Sequence, residues 1–222
     1  MKTGKISVAL MAAVLMLSVY CFAAPEAPKE VTLAAEQGLR PFLSEIADTP
    51  EQFGFTAGDD LNAASLGAPF QLHTIPPSAL EKYQAGMTVA SMVTPTTTWW
   101  FPVLIAGEPR AMLLVDRLDG RWEAVSLGHA GVAQELSAFC RQWKAAQGYH
   151  PMLIAVFQAK QFLVSVPEKD AYNLTTLTIK NAPEMGAKQT PAVADYATLG
   201  TIDDAMNQLK PVVRDALKGS DQ

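Results

Sequence analysis

The chain has 222 residues, 49% of them hydrophobic and 18% charged, with a formal charge of −5 at pH 7 and two cysteines. That length suffices for one substantial domain with its own core. The acidic balance argues against nucleic acid or an anionic membrane surface as partner.

The N-terminus reads as a targeting segment. Lys2 and Lys5 form a basic region, Ile6 to Val19 is an apolar run, and Cys21-Phe22-Ala23-Ala24 places small residues where signal peptidase wants them. This predicts a signal peptide over residues 1–23, cleaved after Ala23 with Ala24 as the alternative, and a periplasmic or secreted product. Tyr20 stands where lipidation of Cys21 would want a small residue, which speaks against a lipoprotein. Loss of Lys2 and Lys5 takes the formal charge to −7, and the mature chain keeps one cysteine, Cys140, which cannot form an internal disulfide. No later stretch is long and apolar enough to span a bilayer.

After a short Pro-rich leader, Val31 to Ala47 carries an uneven apolar stripe of Leu33, Leu39, Phe42, Leu43 and Ile46, a helix that Pro41 should kink or restart. Asp60–Ala64 predicts a short helix capped by Thr56 or Asp59. Pro69 to Ile75 alternates as a first strand. Ser78 to Tyr83 predicts one or two helical turns, with Ser78 and Glu81 at capping-box spacing. Met87 to Val93 has strand composition, and Pro95 should keep Thr94–Trp100 from running as an uninterrupted central strand.

The middle of the chain carries the strongest signals. Phe101–Ile105, Arg110–Val115 and Arg121–Leu127 are apolar runs separated by Ala106-Gly107-Glu108-Pro109 and Asp119-Gly120. Asp-Gly between apolar runs marks a tight hairpin, because both residues tolerate positive φ. The pattern predicts a three-stranded meander whose middle strand is covered on both faces, with a bulge or a displaced strand end where Trp122, Val125 and Leu127 break alternation. Antiparallel sheets of this kind carry helices on one face.

Val132, Leu136, Phe139, Cys140 and Trp143 then fall on one face of a 3.6-residue period, which predicts a helix over Val132–Gln147. Met152–Phe157 and Gln161–Val166 predict a hairpin around Ala159-Lys160, and Asn173–Ile179 a further strand. Residues 181–200 read as a linker or surface excursion. A terminal helix follows over Ile202–Leu217, interrupted by Pro211. The fold class expected is α+β, a mostly antiparallel sheet of about five to seven strands packed with helices and flanked by terminal helices. Residues 24–180 form the main domain and 201–222 a C-terminal helix and tail.

Candidate chemistry is sparse. A Cys140–His129 or Cys140–His150 pair would need a thiol of lowered pKa, and Cys140 lies in an apolar stripe away from the helix N-terminus. His73, His129 and His150 are too widely spaced for a zinc signature. Gly128-His129-Ala130-Gly131 lacks the glycine spacing and βαβ context of a nucleotide fingerprint. It does precede the strong helix, where free backbone N–H groups could meet an anion. The same residues serve equally as a tight strand-to-helix connection. Trp99 and Trp100 must point to opposite faces of a strand, one into the helix layer and one outward. We read Trp99, Trp100, Arg110, Arg121 and His129 as the candidate ligand-binding residues, with no cofactor, no metal and no catalytic set. The function expected is an exported non-catalytic binding or sensor-like module for a small molecule or protein partner, a monomer or weak dimer. The alternatives are an exported enzyme whose groups converge from loops and an accessory subunit that uses a sheet edge.

Overall fold

The computed structural model describes residues 26–167, 174–177 and 201–219. The signal-peptide reading of residues 1–23 and the linker reading of 181–200 lie outside the described residues. The fold is α+β. Its strands follow the order β5-β4-β3-β2-β6-β7-β8, with β1 pairing β3 off this path. The strands are β1 (Ser65–Leu66), β2 (Phe70–Thr74), β3 (Thr94–Ile105), β4 (Glu108–Leu118), β5 (Arg121–Gly128), β6 (Met152–Val156), β7 (Gln161–Ser165) and β8 (Leu174–Leu177). Every pairing is antiparallel except that of β2 with β6. The helices are α1 (Lys29–Glu45), α2 (Pro77–Lys82), α3 (Ala130–Gln142) and α4 (Ile202–Gly219).

Two β-hairpins build the β3–β4–β5 meander. Ala106-Gly107 and Asp119-Gly120 all adopt positive φ, and each pair forms a two-residue turn between Ile105↔Glu108 and Leu118↔Arg121. Such turns match the right-handed twist of the strands they join. Alternation then divides the side chains. Ala111, Leu113 and Val115 of β4 join Trp99, Phe101, Val103 and Ile105 of β3 under α1, whereas Met112 and Trp100 face α3. The middle strand is covered on both sides, as its apolar run predicts.

Helices lie on both faces of the sheet, which corrects the one-face expectation. α1 covers β3–β4–β5 through Val31, Ala35, Leu39 and Leu43. On the same face, α4 and α2 cover β6 and β7, where Met206, Leu209 and Leu80 pack on Ile154, Val156 and Leu163. α3 occupies the opposite face, with Val132, Leu136 and Phe139 against Leu72, Leu153 and Val164. The sheet is mixed because α3 carries the chain from the β5 edge across to β6, which enters parallel to β2.

Several local expectations are corrected. Met87–Val93 forms no strand; Val89–Ser91 is a 3-10 turn in which the Thr88 hydroxyl accepts from the Ser91 amide at 3.2 Å. Pro95 sits inside the twelve-residue β3, paired with His73 on one side and beyond the reach of β4, whose pairing begins at Trp99↔Val115. A proline at such a free edge loses no ladder bond. Pro41 and Pro211 lie within continuous helices. α2 starts at Pro77 with Pro76 as N-cap and no side-chain cap, so the Ser78 capping box is not made. The helix predicted over 60–64 is a 3-10 turn, Leu61–Ala63, capped by Asp60. α3 starts at Ala130 and ends at Gln142, short of the predicted Gln147, because Trp143 leaves helical φ/ψ.

Candidate functional site

The five candidate residues fall in four places. Trp99 is 4% exposed beneath α1, and Trp100 is 3% exposed on the α3 face. Adjacent residues on a strand do point apart, but both indoles are buried, so the expectation of an outward tryptophan is corrected. Arg121 is exposed at the β4–β5 turn and pairs with Glu123 at 3.0 Å.

Arg110 has a structural task. Between Val103↔Ala111 and Leu104↔Pro109 the register shifts, leaving Arg110 as the extra residue of a β-bulge. Bulges re-aim side chains, and this guanidinium grips Asp59 through Nε at 2.7 Å and Nη2 at 3.0 Å. Asp59 also accepts from the Thr56 amide at 2.7 Å. The Asp59 side chain is 6% exposed. Arg110 beside it holds its pKa down at about 2, against the opposing effect of desolvation. Sequence reasoning offered Asp59 as a helix cap and missed this pair, since nothing local links positions 59 and 110.

Trp100 and His129 do converge. His129 follows β5 directly and caps α3 in the left-handed region, φ 56° and ψ 42°. From there its ring packs against Trp100 at a tilt of 42°, with centroids 4.9 Å apart. Phe162 of β7 meets the same indole edge-on at 5.1 Å and the His129 ring at 6.4 Å. Sequence reasoning missed Phe162. The alternation Phe162, Val164, Val166 signals one face, but only the sheet order shows that this face is the one Trp100 uses. Desolvation against this cluster lowers the His129 pKa, which leaves the imidazole neutral at pH 7. The indole Nε1–H of Trp100 is buried without a hydrogen-bond partner. α3 begins here with no side-chain cap, and its first intrahelical bond is Ala133 N–H to the His129 carbonyl at 3.0 Å. The amides ahead of that bond carry the positive end of the helix dipole.

Burial pushes the Cys140 thiol up to about 12, against a smaller lowering by Arg141. His129 and Cys140 are separated by about 16 Å of helix at 1.5 Å per residue. Asp116 accepts from the Thr97 and Thr98 hydroxyls at 2.6 and 2.8 Å and from the Arg117 amide at 2.7 Å. Burial opposes these bonds, and its pKa is lowered on balance. His73 is half-buried, its Nδ1 donating to the Gln71 carbonyl at 3.1 Å, and desolvation lowers its pKa. Among the described residues no group of three His, Cys, Asp or Glu side chains converges for a metal. No described helix is long and apolar enough to cross a membrane.

Among the described residues, hollows also open on the face opposite α3. One, of about 350 Å³, opens between Thr32, Glu36 and Leu39 of α1 and the Leu66–Pro69 connection. Another, of about 290 Å³, opens between α2 and α4 beside Glu81, Lys210 and Arg214. Comparison with protein-family models, curated proteins and solved structures returned no match.

Proposed function

We propose that this protein is an exported, non-catalytic binding module, and that its ligand contacts centre on Trp100, His129 and Phe162. The observation that carries the reading is the unpaired, buried indole N–H of Trp100, whose ring packs against that of His129, an exposed residue. Buried donors in folded proteins are almost always paired, so an unpaired one beside an exposed residue is where an external acceptor belongs. The side chains an enzyme would draw on favour this reading too. The Cys140 thiol is raised far above a nucleophile's range, Asp59 is spent on Arg110, and Asp116 is held by three donors.

The accessory-subunit reading has one observation of its own. β5 pairs with β4 alone among the described residues, so its outer edge offers backbone groups to an added strand.

Native mass spectrometry of protein from its own exported fraction, with a denatured run alongside, tests the proposal. The expected result is a denatured mass for cleavage after Ala23 and a non-covalent adduct in the native spectrum. Full-length protein held in the membrane fraction would overturn export. A hydrolytic activity lost in a folded Cys140→Ala variant would overturn the non-catalytic reading.

A further inference from the structure

The unpaired donor specifies the chemistry of what it lacks, and this step rests on the reading of the Trp100 corner as a binding site. An indole N–H donates and never accepts, so its missing partner is an acceptor. The indole packs against His129, the N-cap residue of α3, and shares an apolar cluster with Val132 and Ala133 of the first turn. The amides of Ala130, Gly131 and Val132 precede the first intrahelical bond, and Gly131 is exposed. Donors of this kind at a helix N-terminus favour an acceptor that carries negative charge. The surrounding walls are flat rings: the Trp100 indole, the Phe162 phenyl and the His129 imidazole. None of the three is a cation at neutral pH.

We propose that this corner binds a small aromatic monocarboxylate. Its carboxylate accepts from Trp100 Nε1–H and the leading amides of α3, and its ring lies against Phe162 and His129. A phosphate would meet the same amides but would leave the aromatic walls unused. Because the indole nitrogen is buried and the ring of the exposed residue His129 packs against the indole, His129 swings aside to admit the carboxylate and then packs on the ligand's ring.

The test is ¹⁵N-detected NMR on the mature chain, with benzoate as probe and benzamide and inorganic phosphate in parallel. The Trp100 indole signal is identified by its loss in Trp100→Phe, or by through-bond assignment should that variant fail to fold. Benzoate is expected to move that signal and the amides of Ala130, Gly131 and Val132 together and saturably, while phosphate leaves the indole unmoved. His129→Ala, at an exposed position, is expected to weaken benzoate about two- to tenfold through loss of one aromatic wall. Benzamide binding as tightly as benzoate would overturn the carboxylate while the corner stands as a site. If none of the three probes moves these signals, the proposal falls. A native adduct that maps instead to the α1 or α4 hollow would overturn the corner as the site and leave the binding module intact.

Discussion

The Asp59 carboxylate ties the 54–60 loop to the bulge in β4, and its titration reports that tie. Its folded pKa of about 2 lies below its ordinary value of 3.8. The group therefore contributes stability that is fully present above about pH 4 and is lost as pH falls toward 2. With Arg110 partly exposed, the contribution is about 1–2 kcal/mol. Asp59→Asn should lower unfolding stability by that amount at pH 7 and hardly at all at pH 2. A gap that stays constant across that range in urea titrations would rule out the ion pair as its cause. Cys140 gives a second residue-scale prediction. With its thiol pushed up to about 12, disulfide reagents at pH 8 should label the folded chain at least about tenfold more slowly than the urea-unfolded chain. Equal rates would mean the thiol is accessible and unperturbed.

Between elements, α1 approaches β5 closely at Gly38. A Cβ at Gly38 would stand 2.1 Å from the Cβ of Ala124, so the glycine lets the helix lie directly on the strand. Helix propensity alone favours Gly38→Ala. The contact predicts the opposite, a loss of about 1–3 kcal/mol from overpacking. Adding Ala124→Gly should restore part of that loss, since the two changes share one contact; strict additivity in thermal melts would dismiss the contact. Pro211 is exposed inside α4 and removes one intrahelical hydrogen bond. The helix continues through it because Met206, Leu209 and Val213 are buried on the sheet. Pro211→Ala should accordingly raise stability by about 1 kcal/mol, the regained bond being partly offset by a freer unfolded chain. A lower melting temperature would contradict this.

At the scale of the molecule, α1 and α4 each close half of one sheet face, so losing either helix opens an apolar layer. A chain ending at residue 200 would expose Ile75, Leu80, Ile154 and Leu163. It should bind a hydrophobic dye and aggregate, whereas unchanged solubility would show that α4 is not needed as a cover. Much of the architecture was legible in the sequence, because it is local. Positive φ at Asp119-Gly120, the continuous apolar run of β4 and the 3.6-residue stripe of α3 are each set by a few neighbouring residues. The break of alternation in β5 left a bulge or a displaced strand end open, and the register decides for the bulge: Val125 falls between Leu114↔Ser126 and Val115↔Ala124. What the sequence could not rank was competition between local preference and long-range burial. Prolines 41 and 211 were overruled by buried helix faces, and the β-rich Met87–Val93 became a 3-10 turn whose Val89 and Met92 fill the core under α4. Tertiary structure alone decided that α3 crosses to the opposite face, that Arg110 meets Asp59, and that Trp100, His129 and Phe162 share one corner. Each joins residues dozens of positions apart, and strand order, which no single segment encodes, is the physical fact that brings them together.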